Sequence, residues 1–464
     1  MLDNINGYGF KKRFGQALTV LTGSAVVALT PLGVRDVQAL PIFACKYKTS
    51  CMTCHQMFPR LNAFGEAFRL NGFMWPTGAD ADAEQRKQEP IPLGAEAFKK
   101  AFPNAVWPTE LPEGVPLSIR GINTFTQHVG KDKSKVYETE WELQSGGNMG
   151  EKITWFGHAN FVADQTSAAK TPPMLHVIAQ INIEDLVGSR LVNLQLGTVA
   201  VEESDYYHYR NHSTQSLLPA EARPLAGSDK VPYPANFFKA NLFHLRRGPG
   251  AMFWGRTARS DYSLGYRIGD DQGGGQDQNV GFFHWAYKIG GMDHYGQTTQ
   301  SFPQGYMENS LSLGLFGDVG SADVQPTAAS SFRTDKFWRA GGDLLLKLEA
   351  WSLRSGSYKG SNSNPYGTLN DGSADYTNWF VQTDYQVLPW LLPEVTYEET
   401  YWTLPGGLAF GKTDRARLVP SVNALYGANV RFTLFGEIYT SKAETPQGAA
   451  LDANTVGAMV DWGI

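Results

Sequence analysis

Two cysteines three positions apart, with a histidine directly after the second, form the most chemically pointed constellation in the chain: Cys51-Met52-Thr53-Cys54-His55. Thiols one helical turn apart can add across the two vinyl groups of a porphyrin, and the adjacent imidazole then faces the iron, so the pentapeptide is the attachment signature of a c-type haem. Cys51 and Cys54 are the expected covalent anchors and His55 the proximal axial ligand of one haem. A thioredoxin-like redox pair would have no use for the histidine and would normally follow a strand in a βαβ unit. A zinc site would need a second Cys/His pair nearby, and none follows.

The second axial position is left open by the sequence. Methionine in that role raises the reduction potential, and Met74 lies where the chain could return over the other haem face. His128, His158 and His176 are its rivals. Cys45, the third and last cysteine, reads as a free thiol, since three cysteines cannot staple so long a chain.

Around these residues the expected elements are few. Phe58, Leu61, Phe64 and Phe68 recur at helical spacing, which predicts an amphipathic helix beginning near Pro59 and ending at Asn71-Gly72. Upstream, Lys11, Lys12 and Arg13 precede an apolar stretch from Ala17 to Leu32, and Val37-Gln38-Ala39 offers a cleavage site, so residues 1–39 read as a signal peptide. An uncleaved anchor is the other reading, disfavoured because polar residues and Pro31 interrupt the stretch before it reaches the roughly 20 apolar residues a span needs. Residues 40–114 form the haem segment and a proline-rich linker, too short to bury a haem comfortably alone.

From residue 115 to 464 the chain repeats segments of about ten residues with alternating polarity, broken by turn residues. Phe432, Leu434 and Ile438 interleave with Arg431, Thr433 and Glu437. Val177, Ala179 and Ile181 interleave with His176, Gln180 and Asn182. One face for lipid and one for a polar lumen is the pattern of a transmembrane antiparallel β-barrel, here of about 16 strands. On this alternation His128, His158 and His176 face the lumen. A soluble sandwich or propeller is the competing architecture; the lack of a fixed repeat period and the aromatics near strand ends, among them Trp155, Tyr397, Tyr401, Trp402 and Trp462, argue against it. The fold class is therefore mostly β, with a short α-helical monohaem segment plugging or bordering the barrel. With a net charge of -5 and 18% charged residues, the chain lacks the basic field that nucleic acid would require.

The runs Ala39-Leu40-Pro41-Ile42-Phe43-Ala44, Cys51 to His55, Pro59-Arg60-Leu61-Asn62-Ala63-Phe64-Gly65 and Phe68-Arg69-Leu70-Asn71-Gly72-Phe73 together resemble the fused monohaem cytochrome and porin of iron-oxidising bacteria, the outer-membrane ferrous-iron oxidases. The chain departs from the family pattern at Cys45-Lys46, where an Arg-Gln pair is usual, and at Glu66, where a basic residue often stands. The resemblance implies an outer-membrane oxidoreductase, a cytochrome c type iron oxidase, that takes electrons from extracellular ferrous iron or another extracellular donor and passes them to a periplasmic cytochrome or other carrier. Glu202, Glu203, Asp205, His208 and His212, and the set Asp270, Asp271 and Asp277, are loop clusters whose donor types suit iron.

Overall fold

The computed structural model describes residues 43, 47, 51–57, 60–76, 117–129, 135–149, 152–164, 174–199, 248–268, 278–324, 333–363, 373–403, 414–426, 430–442 and 454–463. The expected signal peptide, Cys45, most of the expected linker and both loop clusters of carboxylates and histidines lie outside them.

Sixteen antiparallel strands close on themselves. They are β3 (Leu117–His128), β4 (Lys135–Met149), β5 (Ile153–Asp164), β6 (Met174–Ile183), β7 (Asn193–Val199), β8 (Gly248–Arg256), β9 (Ser260–Ile268) and β10 (Gln278–Gly290). The second half comprises β11 (Glu308–Val324), β12 (Arg333–Glu349), β13 (Trp351–Asn362), β14 (Ala374–Tyr385), β15 (Leu391–Thr403), β16 (Arg415–Tyr426), β17 (Val430–Ser441) and β18 (Thr455–Gly463). Each strand pairs with its neighbour in sequence, and β18 returns to β3, with Thr455 opposite His128 and Gly463 opposite Arg120.

Polarity is inverted relative to a water-soluble protein. The outward positions carry Phe125, Trp141, Val177, Ile181, Phe253, Leu264, Leu315 and Leu434, all exposed, while the inward positions bury Arg120, Glu142, Asn182, Arg267, Asp318, Arg339, Arg417 and Asp461. An apolar exterior around a charged interior is stable only if the exterior meets lipid, which makes this a transmembrane barrel. The inward charges are paired: Arg120 with Glu142 and Asp461, Arg431 with Asp461, and Arg417 with Glu398 and Glu437.

The connections differ at the two ends. Strands β4 and β5, β8 and β9, β12 and β13, β14 and β15, and β16 and β17 are joined by five residues or fewer, whereas β7 and β8 are joined through 200–247 at the other end. The start of β3 and the end of β18 share the short-turn end.

Candidate functional site

The residues expected to bind the haem sit inside this short-turn mouth. Cys51–Thr53 form a single 3-10 turn, in which the Cys54 amide donates to the Cys51 carbonyl at 3.2 Å. A minimal ladder follows, β1 (His55–Met57) and β2 (Arg60–Leu61), which sets His55 opposite Leu61. The helix α1 spans Ala63–Arg69. It therefore begins at Asn62 and not near Pro59 as its apolar spacing suggested. The cause is capping: the Asn62 side chain accepts from the Gly65 amide at 2.9 Å and donates to the carbonyls of Met52 and Thr53. One side chain thus starts the helix and ties it to the cysteine turn.

Gly65 completes that tie. A Cβ on it would collide with the backbone carbonyl of Cys54, which cannot swing aside. Replacing Gly65 with Ala is expected to separate α1 from the turn at a cost of about 1–3 kcal/mol, read as a lower yield of covalent haem in a strain that matures c-type cytochromes, with the barrel still heat-modifiable on gels.

Cys51 is buried and Cys54 half-buried, both as free thiols. Burial pushes the Cys51 thiol up to about 11 and the Cys54 thiol up to about 12, the latter helped by its neighbour Cys51. His55 is half-buried. Met74 is buried at 4% exposure, and its Sδ accepts from Arg190 Nη2 at 3.7 Å. His158 is buried in the lumen wall on β5, edge-on to Phe156 at 5.9 Å, whereas His128 lies half-buried at the end of β3 away from the mouth. The side chain of His176 lies outside the described residues.

What fixes the segment is a set of wall contacts that sequence reasoning missed. Arg60, fully buried, pairs with Asp384 of β14 at 2.8 Å and with Glu394 of β15. Arg256, closing β8, donates to the Leu70 carbonyl at 2.7 Å and to Asn71 Oδ1. Arg190, in the turn between β6 and β7, donates to the Asn71 carbonyl and pairs with Glu184 at 3.4 Å. Gly72 has φ of +64°, and a Cβ there would strike the Glu184 carboxylate. The only sequence trace of this clamp is the charge standing at inward positions such as Asp384 and Glu394.

Aromatic rings seal the same junction. Phe43 stacks on Phe73 at 5.1 Å and meets Phe68 edge-on at 5.4 Å, Phe64 contacts Trp75 at 4.8 Å, and Phe73 reaches Phe156 of the wall at 5.9 Å. A hollow of about 310 Å³ is lined by Met52, Gln304, Gly305, Tyr306, Pro389, Trp390 and Leu425.

The connection after β10 adds a titrating group. His294, buried, is held down to about 4 by desolvation first and then by the charges of Lys288, Arg256 and Arg69, although Asp261 lies 3.8 Å away. It is neutral in the folded protein at pH 7 and takes up a proton more readily when unfolded. Stability should therefore fall as pH drops from 6.5 towards 4, by about 3 kcal/mol if the whole shift is expressed. Thermal unfolding across that window, compared with His294→Asn, measures it; the variant should show the shallower slope.

No protein-family model matches the chain, and no curated protein is significantly similar to it. Solved structures do resemble it. The high-pH structure of OprB from Pseudomonas putida aligns with a TM-score of 0.51 at 8% identity, covering 75% of this chain and 94% of that one. An anion-selective porin from Comamonas acidovorans aligns at 0.48 and 9% identity over 75% and 99%. The outer-membrane channel DcaP of Acinetobacter baumannii aligns at 0.47 and 11% identity over 75% and 96%. At such identities the likeness to OprB is one of fold: the chain is a porin-like, closed 16-strand barrel.

Proposed function

We propose that the chain is a bacterial outer-membrane barrel whose short-turn mouth is closed by a segment bearing one c-type haem, and that it conducts electrons across the membrane and not solutes. The observation carrying this reading is the anchoring of the CxxCH segment to the lumen wall through Arg60, Asp384 and Glu394. One-electron oxidation and reduction is the chemistry that a haem attached at Cys51 and Cys54 and ligated by His55 would supply. The donor set fits that group: two free thiols on one turn with an imidazole next to them.

The chain's own residues do the rest. Arg60, Arg190 and Arg256 hold the segment across the mouth, and the rings of Phe43, Phe68, Phe73 and Phe156 exclude water from the junction. The barrel crosses an apolar band about 25 Å tall, so a redox centre held at its mouth is reachable from the lumen, whereas one tethered away from the strands would not be. Met74, whose Sδ accepts from Arg190 Nη2, is the residue this reading would assign as second haem-iron ligand. Met74→Ala should then shift the visible spectrum and lower the midpoint potential; an unchanged spectrum assigns the position to another residue.

Extracellular ferrous iron is the donor this reading favours, on the strength of the motif resemblance, with a periplasmic cytochrome or other carrier as acceptor. Purified holoprotein in detergent should show the sharp bands of reduced low-spin haem within seconds of adding ferrous iron. Normal bands under dithionite with none under ferrous iron would reject iron as donor. The porin-like fold favours a second reading, a substrate porin in which the same segment is a structural plug. It requires a wide, steady conductance in planar bilayers, which the first reading excludes.

A further inference from the structure

The lumen wall beside the plug holds buried hydrogen-bond donor atoms that the contacts described so far leave unmet. Trp254 on β8 and Ser263 on β9 are direct cross-strand partners on the inward face, at 8% and 6% exposure. Among the described residues no acceptor meets Trp254 Nε1 or Ser263 Oγ, and none meets Nη1 of Arg256, the next inward residue of β8. Leaving a buried donor unmet costs about 1–3 kcal/mol, so three on one patch favour an acceptor there. The row beyond them is apolar: Met252 opposes Gly265, which opposes Phe282, both Met252 and Phe282 being buried. Arg256 supplies positive charge at the plug edge, where it already grips Leu70 and Asn71. The facing charges are Asp261, opposite Arg256, and Glu184, paired with Arg190, while His284 flanks Ser263 from β10.

We propose that Trp254, Ser263 and Arg256 form a receptor for a carboxylate carried on an apolar body. Cross-strand side chains begin about 5 Å apart, so Trp254 Nε1 and Ser263 Oγ can converge on one carboxylate, with the apolar row where Phe282 packs over Gly265 as its neighbour. Two sources share this chemistry: a propionate of a porphyrin held by the plug, which rests on the function proposed above, and a free organic acid in the lumen.

The test uses benzoate as probe and benzamide as its neutral counterpart, followed by calorimetry on the full-length chain in detergent. The haem-free Cys51→Ala, Cys54→Ala chain should bind benzoate and not benzamide, and adding Trp254→Phe or Ser263→Ala should weaken binding about tenfold each. If the haem-loaded protein no longer binds benzoate, the natural occupant is the porphyrin carboxylate; if it still binds, the occupant is a free acid. Absence of benzoate binding in both forms, or binding untouched by either substitution, overturns the receptor. A wild-type chain that carries no covalent haem yet binds benzoate would end the electron-conduit reading and leave the receptor standing.

Discussion

Replacing Arg60 with Met is expected to unseat the plug and convert a poorly conducting barrel into a wide, steady channel. Arg60 has no exposure and its guanidinium lies between two acidic side chains, Asp384 at 2.8 Å and Glu394. Removing one partner from a buried ion pair typically costs about 3–5 kcal/mol, because the remaining charges stay desolvated. Here two carboxylates lose one shared counter-charge. Asp384 keeps Arg354 at 3.1 Å and Ser352 at 2.6 Å, and Glu394 keeps Gln382 at 2.9 Å. Water entering the mouth is the cheapest way to resolvate the carboxylates that Arg60 leaves behind. The second-site change Glu394→Gln should restore part of the block. Planar-bilayer conductance reads both variants, and an Arg60→Met barrel that conducts no better than wild type would show that Arg60 does not hold the mouth shut. The strands should be unaffected, since their ladder and their other ion pairs do not involve Arg60.

The second large effect is chemical. Cys51→Ala together with Cys54→Ala should abolish haem staining on denaturing gels, because no thioether can form, while the barrel still inserts into the outer membrane. Single substitutions should leave a weakened stain through the surviving thiol. His55→Ala should keep the covalent stain and lose the low-spin bands. Wild-type chain made in a host that attaches c-type haem, yet carrying no stain, would remove haem from the picture altogether.

The barrel was legible because a two-residue period needs no knowledge of partners. Arg431, Thr433 and Glu437 point in and Phe432, Leu434 and Ile438 point out, as their alternation alone requires. Strand number and the first strand at Leu117 followed from the same rhythm. The plug was legible only in its pentapeptide. Its helix start was misjudged because apolar spacing at Leu61 and Phe64 runs on through residues that the structure spends on a small ladder, and Asn62 fixes the boundary through contacts to Met52 and Thr53. The clamp was invisible for a different reason. Arg60 and Glu394 are separated by 334 positions, and nothing local to Pro59-Arg60-Leu61 announces that its charge will be buried in a wall made so much later. Arg190 and Arg256 close turns, where an arginine is ordinarily solvated, and nothing in the sequence announces that the Leu70–Asn71 backbone will accept from them. Of the lumen histidines, His158 lies buried in the wall beside a ring that touches the plug, whereas His128 sits at the opposite end of its strand.

Seating the anchored segment at the short-turn mouth also sets a direction. The start of β3, the end of β18 and the plug share that end, and the short turns of outer-membrane barrels are periplasmic, so in the reading proposed here whatever the segment carries faces the periplasm. The connection 200–247 joins its strands at the other end, towards the donor side in the reading proposed here.

The most direct measurement places the protein, loaded in a c-haem-maturing host, in sealed liposomes that trap a membrane-impermeant oxidised cytochrome, and adds ferrous iron outside. Reduction of the trapped cytochrome, absent from protein-free liposomes and from the Cys51→Ala, Cys54→Ala variant, with the vesicles still impermeable to small solutes, is the expected result. Vesicles that leak solutes freely while the trapped cytochrome stays oxidised would contradict it, and would leave the chain a porin with an inert plug.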